Sequence, residues 1–163
     1  MTLPKRKRNR LQQFNYGTAG AYFITICVDK KETLLGKIVG GGVLDAPKIH
    51  LSALGRIIER QILSINNVPC VTVDHYVVMP NHIHLLLLVA ETKESIHHSG
   101  DIIPQTIGGF KRLCEREIGR DIFQRSYHDH IIRRDVDYQK IWQYIDTNPI
   151  RWNKDCFFVH DIE

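Results

Sequence analysis

The segment Met79-Pro80-Asn81-His82-Ile83-His84-Leu85-Leu86-Leu87-Leu88 constrains this chain more than any other. A Pro-Asn turn pair opens directly into an apolar run that reads as a strand. Side chains alternate along a strand, so His82 and His84 leave the sheet on the same face. Their Cα atoms stand about 6.5–7 Å apart, a span that two imidazoles can close onto one cation through nitrogens roughly 2 Å from it. The pattern points to a metal site that still needs a third ligand and a reactive group.

The rest of the chain has to build one sheet around that strand. At 163 residues, 43% hydrophobic and 25% charged, it matches a single globular domain with a full core. The longest apolar run, Leu85 to Ala90, is too short to span a bilayer, and the basic N-terminus has no apolar region behind it. A cytoplasmic protein with no membrane partner is expected. Cys27, Cys70, Cys114 and Cys156 are widely spaced and read as ordinary thiols rather than a disulfide framework.

Charge is unevenly placed. Five of the 22 Lys and Arg residues are Lys5, Arg6, Lys7, Arg8 and Arg10, so the remainder carries 17 against 18 acidic residues and the net +4 belongs to the tail. Residues 1–15 are expected to be a basic flexible tail, and 16–163 the single domain. The tail is either a solvated end or an electrostatic attachment to a phosphate backbone.

Ala21 to Val28, β-branched and aromatic, reads as a central strand. Gly36 to Ile49 holds Gly40-Gly41-Gly42, a turn inside a hairpin; no Gly-Lys-Ser/Thr follows, so it is not a P-loop. Leu54, Ile57, Ile58 and Ile62 give Leu51 to Ser64 an amphipathic helical pattern. Val71 to Met79 and His82 to Val89 form a hairpin, and the polar stretch Glu91 to Gly100 is a loop. Ile103 to Ile118 is a helix stopped by Gly119, with Lys111, Arg112 and Arg116 on a basic flank. Ile122 to Arg133 reads as a strand, and Val136 to Thr147 as a helix ended by Asn148-Pro149. The economical architecture is α+β, a ferredoxin-like antiparallel sheet with helices packed on it.

The last helix carries the candidate reactive groups. At about 100° per residue, Tyr138, Ile141, Trp142 and Ile145 form an apolar stripe. Tyr144 and Asn148 lie roughly 70–110° from its centre, one turn apart on a face the core does not need. A phenol and an amide oxygen are thereby offered together. Asp137 shares that face and competes as third ligand. His128 and His130 repeat the H-x-H spacing and rival His82 and His84 for the metal.

Three segments together resemble a known family: Gly20-Ala21-Tyr22-Phe23-Ile24-Thr25, Val77-Val78-Met79-Pro80-Asn81-His82-Ile83-His84-Leu85-Leu86, and Tyr144-Ile145-Asp146-Thr147-Asn148-Pro149. They are similar to the single-tyrosine transposases of the HUH endonuclease superfamily, most closely to the REP-associated tyrosine transposase branch, and cover most of the chain. The resemblance implies a catalytic Tyr144 on a C-terminal helix and Mg²⁺ or Mn²⁺ on His82, His84 and Asn148. It implies DNA nicking and rejoining through a 5′-phosphotyrosine intermediate on single-stranded DNA flanked by a hairpin. Lys5, Arg6, Lys7, Arg8, Lys111, Arg112 and Arg116 are the candidate DNA-backbone contacts, and a monomer or a homodimer is compatible with it. Two other readings are weighed: a non-catalytic DNA-hairpin-binding protein derived from a transposase, and a metal-free phosphoesterase using His82 and His128 as an acid/base pair.

Overall fold

A computed structural model describes residues 19–42, 45–91 and 102–157. The stretches expected to be a basic tail, 1–15, and a polar loop, Glu91 to Gly100 apart from Glu91 itself, lie outside the described residues. β1 (Gly20–Cys27) is followed by a small hairpin, β2 (Gly36–Val39) and β3 (Lys48–Leu51), which forms its own two-stranded sheet. Then come α1 (Ala53–Ser64), β4 (Val71–Val78), β5 (His82–Val89), α2 (Ile102–Ile118), β6 (His128–Ile132) and α3 (Asp135–Thr147), continued by a 3-10 helix over Asn148–Lys154. The main sheet runs β4-β5-β1-β6 with every pair antiparallel. With the β2–β3 hairpin set aside, this is the β-α-β-β-α-β order of the ferredoxin-like architecture. Among the described residues no helix is long and apolar enough to cross a membrane.

The two faces of the sheet have different covers. Tyr22, Ile24 and Ile26 of β1 and Ile83, Leu85 and Leu87 of β5 pack against Ile58 and Ile62 of α1 and Ile103, Ile107, Phe110 and Cys114 of α2. The alternate residues, Phe23 with Leu86, Val77 and Met79, meet Ile145, Ile141 and Tyr138 of α3. β5 is therefore buried on both sides, which accounts for its unbroken apolar character. His82 and His84 are the polar interruptions of that strand, and alternation turns both toward α3.

The turn before β5 is held tightly. Met79 N–H donates to the His82 carbonyl across Pro80-Asn81, while Val28 N–H and Leu35 N–H donate to the Asn81 and Pro80 carbonyls, each at 2.9 Å. Ser52 caps α1: its hydroxyl accepts from Gly55 N–H at 3.0 Å and donates to the Leu34 carbonyl at 2.7 Å. Gly55 sits so close to the Leu35 carbonyl that a Cβ there would lie 1.9 Å from that oxygen.

Three expectations change. The strand foreseen over Ile122 to Arg133 shrinks to β6, with a lone bridge between Val28 and Phe123. The carbonyls of Gln124, Arg125 and Ser126 face the Lys111 ammonium instead of a neighbouring strand. Trp142 is not in the core stripe; it is 41% exposed and stacks on His75 of β4, rings 4.1 Å apart and 8° from parallel. A bulge at Asp74 alters the β4 register there, and the Tyr138 hydroxyl donates to the Asp74 carboxylate, so β4 grips α3 at two points. Finally, Asn148-Pro149 ends the α-helix but not the helical path. Proline is accommodated in the first turn of the 3-10 segment, where its missing N–H costs nothing.

Gly55→Ala should lower stability by about 2 kcal/mol through forced displacement of the β1–β2 connection. Gly42→Ala, where an added Cβ meets nothing within 4 Å, should melt within a degree or two of the parent; thermal unfolding compares the two.

Candidate active site

His82 and His84 are almost wholly buried, and their Nε2 atoms face each other at 3.1 Å. Each ring is oriented through its other nitrogen. His82 Nδ1 lies 2.9 Å from Asn81 Oδ1. The Asn81 amide nitrogen donates to the Lys31 and Phe157 carbonyls at 3.2 and 2.7 Å, which fixes its oxygen toward the imidazole. An amide oxygen only accepts, so His82 carries its proton on Nδ1 and offers a lone pair at Nε2. His84 Nδ1 is 2.9 Å from the Thr25 hydroxyl, and Thr25 is its registered partner on β1. With that hydroxyl accepting, both Nε2 lone pairs converge on one point.

Burial also sets the charge of the pair. It pushes the His82 pKa down to about 2, helped by the neighbouring His84, and the His84 pKa down to about 3. Both imidazoles are neutral at pH 7; with no cation present the Thr25 hydroxyl can donate to His84 Nδ1 and His84 Nε2–H to His82 Nε2, whereas the other His84 tautomer turns both lone pairs toward a shared cation. Two nitrogens each about 2.1 Å from an octahedral ion, in adjacent positions, stand about 3 Å apart, so the spacing suits a shared divalent cation.

Two oxygen donors are available to complete such a site. Asn148, 1% exposed, has a buried Oδ1 with no hydrogen-bond partner, the orphaned acceptor a metal site would use. Asp155 places a carboxylate oxygen 3.9 Å from His82 Nε2, with its side chain 3% exposed. The His82, His84 and Asp155 ligand atoms all lie within 4.8 Å of one another. The Phe157 ring lies 4.5 Å from the His82 ring, so residues 155–157 roof the histidines. These residues fit a hard divalent cation on two imidazoles and one or two oxygens.

Tyr144 enters from α3. Its hydroxyl is 3.5 Å from His84 Nε2, and its ring meets the His84 and Phe23 rings edge-on at 5.2 and 6.1 Å. Burial, then the Asp155 charge, raise the phenol pKa above 10, while a hydrogen bond from Asn148 and the Arg151 charge oppose them. Tyr144, Asn148, Arg151, Lys154, Asp155 and Cys156 line a pocket of about 490 Å³ beside the histidines.

The expected set His82, His84, Tyr144 and Asn148 is thus assembled in one place. The competitors are elsewhere: Asp137 forms an ion pair with Arg134 at 2.8 Å, and His128 and His130 are exposed on the edge strand β6. Lys111, expected on a solvent-facing flank, is turned inward. Its ammonium donates to the Gln124 carbonyl at 2.6 Å, and burial lowers its pKa. Arg112 and Arg116 are exposed on α2, across the sheet from Tyr144. Lys5, Arg6, Lys7 and Arg8 lie outside the described residues. Sequence reasoning missed Asp155, Asn81 and Thr25. Asn81 was visible as the residue beside His82, whereas Asp155 carried no local signal.

The depressed histidines have a consequence for stability. An unfolded histidine titrates near 6.5, so below that pH the unfolded chain binds protons that the folded, metal-free chain refuses. Stability from this source is complete above pH 6.5 and is lost as the pH falls toward 3. In EDTA, the melting temperature should fall across that window, and His82→Gln should melt with a shallower pH slope than the parent. Equal slopes contradict the assigned environment.

No family model matches the chain. It is 32% identical to an uncharacterized Haemophilus influenzae protein over 174 aligned positions, which cover 94% of this chain and 93% of the relative. A solved REP-associated tyrosine transposase, bound to a REP hairpin, superposes with a TM-score of 0.63 at 19% identity, over 87% of this chain and 73% of that one. A Deinococcus radiodurans R1 protein described as a transposase superposes with a TM-score of 0.50 at 15% identity, over 88% of this chain and 96% of that one. The chain belongs to the family of the Haemophilus influenzae protein, and its fold is that of these transposases.

Proposed function

We propose that this protein is a metal-dependent single-stranded DNA endonuclease and strand transferase of the HUH single-tyrosine type, acting beside DNA hairpins. The observation that carries the reading is the Tyr144 hydroxyl 3.5 Å from His84 Nε2, at the point where His82 and His84 converge. The structural relative bound to a REP hairpin supports the substrate class. A Mg²⁺ or Mn²⁺ ion on His82 and His84, completed by Asn148 or Asp155, would supply Lewis-acid stabilisation to the oxygens of a scissile phosphate.

The chain's own groups do the rest. The Tyr144 oxygen attacks phosphorus in line, forming a Tyr-O–P bond. The P–O3′ bond breaks, and the leaving oxygen is protonated to a free 3′-hydroxyl. The phenol proton departs to bulk solvent through the pocket that Tyr144 lines. Asn148 and Arg151 favour the phenolate against the burial and the Asp155 charge that disfavour it. Attack of a 3′-hydroxyl on the 5′-phosphotyrosine reverses the step and rejoins strands without ATP, because the ester retains the bond energy. Phe23 and His84 hold the phenol ring from its edges, which limits the rotation that would misalign the attack. The exposed Arg112 and Arg116, with the basic tail, are the proposed backbone contacts outside the pocket.

Incubating the protein with Mn²⁺ and labelled single strands from DNA flanking its gene should give a covalent adduct. Tyr144→Phe should reduce adduct formation at least about 1000-fold while changing DNA affinity less than about twofold. An adduct persisting in Tyr144→Phe moves the nucleophile elsewhere. Hairpin affinity that ignores chelators, with no adduct from the parent protein, favours a non-catalytic binding protein.

A further inference from the structure

The terminal 3-10 helix carries a feature the proposed chemistry has not used. Three residues per turn make side chains at i and i+3 eclipse, and the rise is about 2.0 Å per residue. Asn148, Arg151 and Lys154 therefore stand on one face of the Asn148–Lys154 segment as rungs about 6 Å apart. All three line the pocket with Tyr144. The innermost rung is the buried Asn148 with its orphaned Oδ1; the outer two are exposed cations.

The charges of this pocket are sorted by depth. The Asp155 carboxylate is turned inward to His82 and is almost wholly buried, so the rim is left to Arg151 and Lys154. Among the described residues neither makes an ion pair or a side-chain hydrogen bond. Arg112 and Arg116 are likewise without such a partner, but they stand on α2 across the sheet, so what sets Arg151 and Lys154 apart is their place on the rim of the Tyr144 pocket. A pair of exposed cations on one helical face, leading away from a phenol and an orphaned acceptor, suits successive anionic groups of one linear ligand.

We propose that Arg151 and Lys154 bind the phosphodiesters next to the scissile one, so that the DNA strand runs along this face and its register on the 3-10 helix selects the phosphate presented to Tyr144. This rests on the strand-transferase reading. The Arg151 guanidinium forks onto two oxygens of the neighbouring phosphate, and Lys154 meets the next as a point charge. Pro149, seated in the first turn, stiffens the segment that sets the spacing between seat and nucleophile.

The test uses the full chain and two readouts. The first is the salt dependence of binding to a fluorescein-labelled oligothymidylate. Each single-strand phosphate contact contributes about 0.7 to the slope of log K against log salt, so Arg151→Gln/Lys154→Gln should lower that slope by about 1 to 1.5 and weaken low-salt binding about tenfold. Arg60→Gln, across the molecule on α1, should leave the slope unchanged. The second readout is adduct formation, which Arg151→Gln should slow about tenfold, with Arg151→Lys recovering part of the loss because it keeps the charge and loses the fork.

Mn²⁺-induced thermal stabilisation should persist in all variants, reporting an intact fold and metal site. If the double variant loses it, the single variants Arg151→Gln and Lys154→Gln carry the same slope measurement, each lowering it by about 0.7. An unchanged slope overturns the proposal whether or not the parent forms an adduct. A reduced slope with a parent that never forms an adduct leaves the phosphate seat standing and overturns the strand-transferase reading alone.

Discussion

Two uncharged imidazole nitrogens facing each other at 3.1 Å, out of reach of water, set the terms for everything around them. An amide oxygen behind His82 fixes its tautomer, and the hydroxyl behind His84, which donates or accepts, accommodates either. Burial keeps both rings uncharged. A metal cation would suit the space between them, its charge and several coordination bonds offsetting its dehydration. The sheet supplies the rigidity: β5 is central and paired on both sides, and the turn before it is tied to β1.

The cover over the histidines comes from a single stretch of chain. α3 is gripped by β4 through Tyr138 on Asp74 and Trp142 on His75, and it delivers Tyr144 to His84. The 3-10 segment then carries the chain around the pocket until Asp155 and Phe157 reach His82. Nucleophile, oxygen donors and rim cations thus belong to about a dozen consecutive residues on one face of a four-stranded sheet. Small displacements of that stretch would move them together relative to the histidines.

Much of this was legible in the residues because it follows from periodicity. The period of two in His82-Ile83-His84 placed both rings on one face. The 3.6 period placed Tyr144 and Asn148 together off the core stripe, and the α+β order emerged from strand and helix patterns in sequence. The failures have equally local causes. Trp142 fitted the apolar stripe by angle alone, but its place is decided by a stacking partner on β4 that only tertiary structure supplies. Lys111 looked like a solvent cation because the carbonyls it meets belong to a segment that resembled a strand. Asp155 was invisible because Asn148-Pro149 reads as a stop, whereas the chain winds on with a period of three and returns to the site.

The central claim is that His82 Nε2 and His84 Nε2 share one cation beside Tyr144. Anomalous diffraction from crystals grown with Mn²⁺ tests it most directly. The account predicts a single strong peak about 2.2 Å from both nitrogens, with Asn148 or Asp155 in its coordination shell and the Tyr144 hydroxyl facing it. Manganese bound elsewhere, with the two imidazoles still facing each other and no density between them, would contradict it.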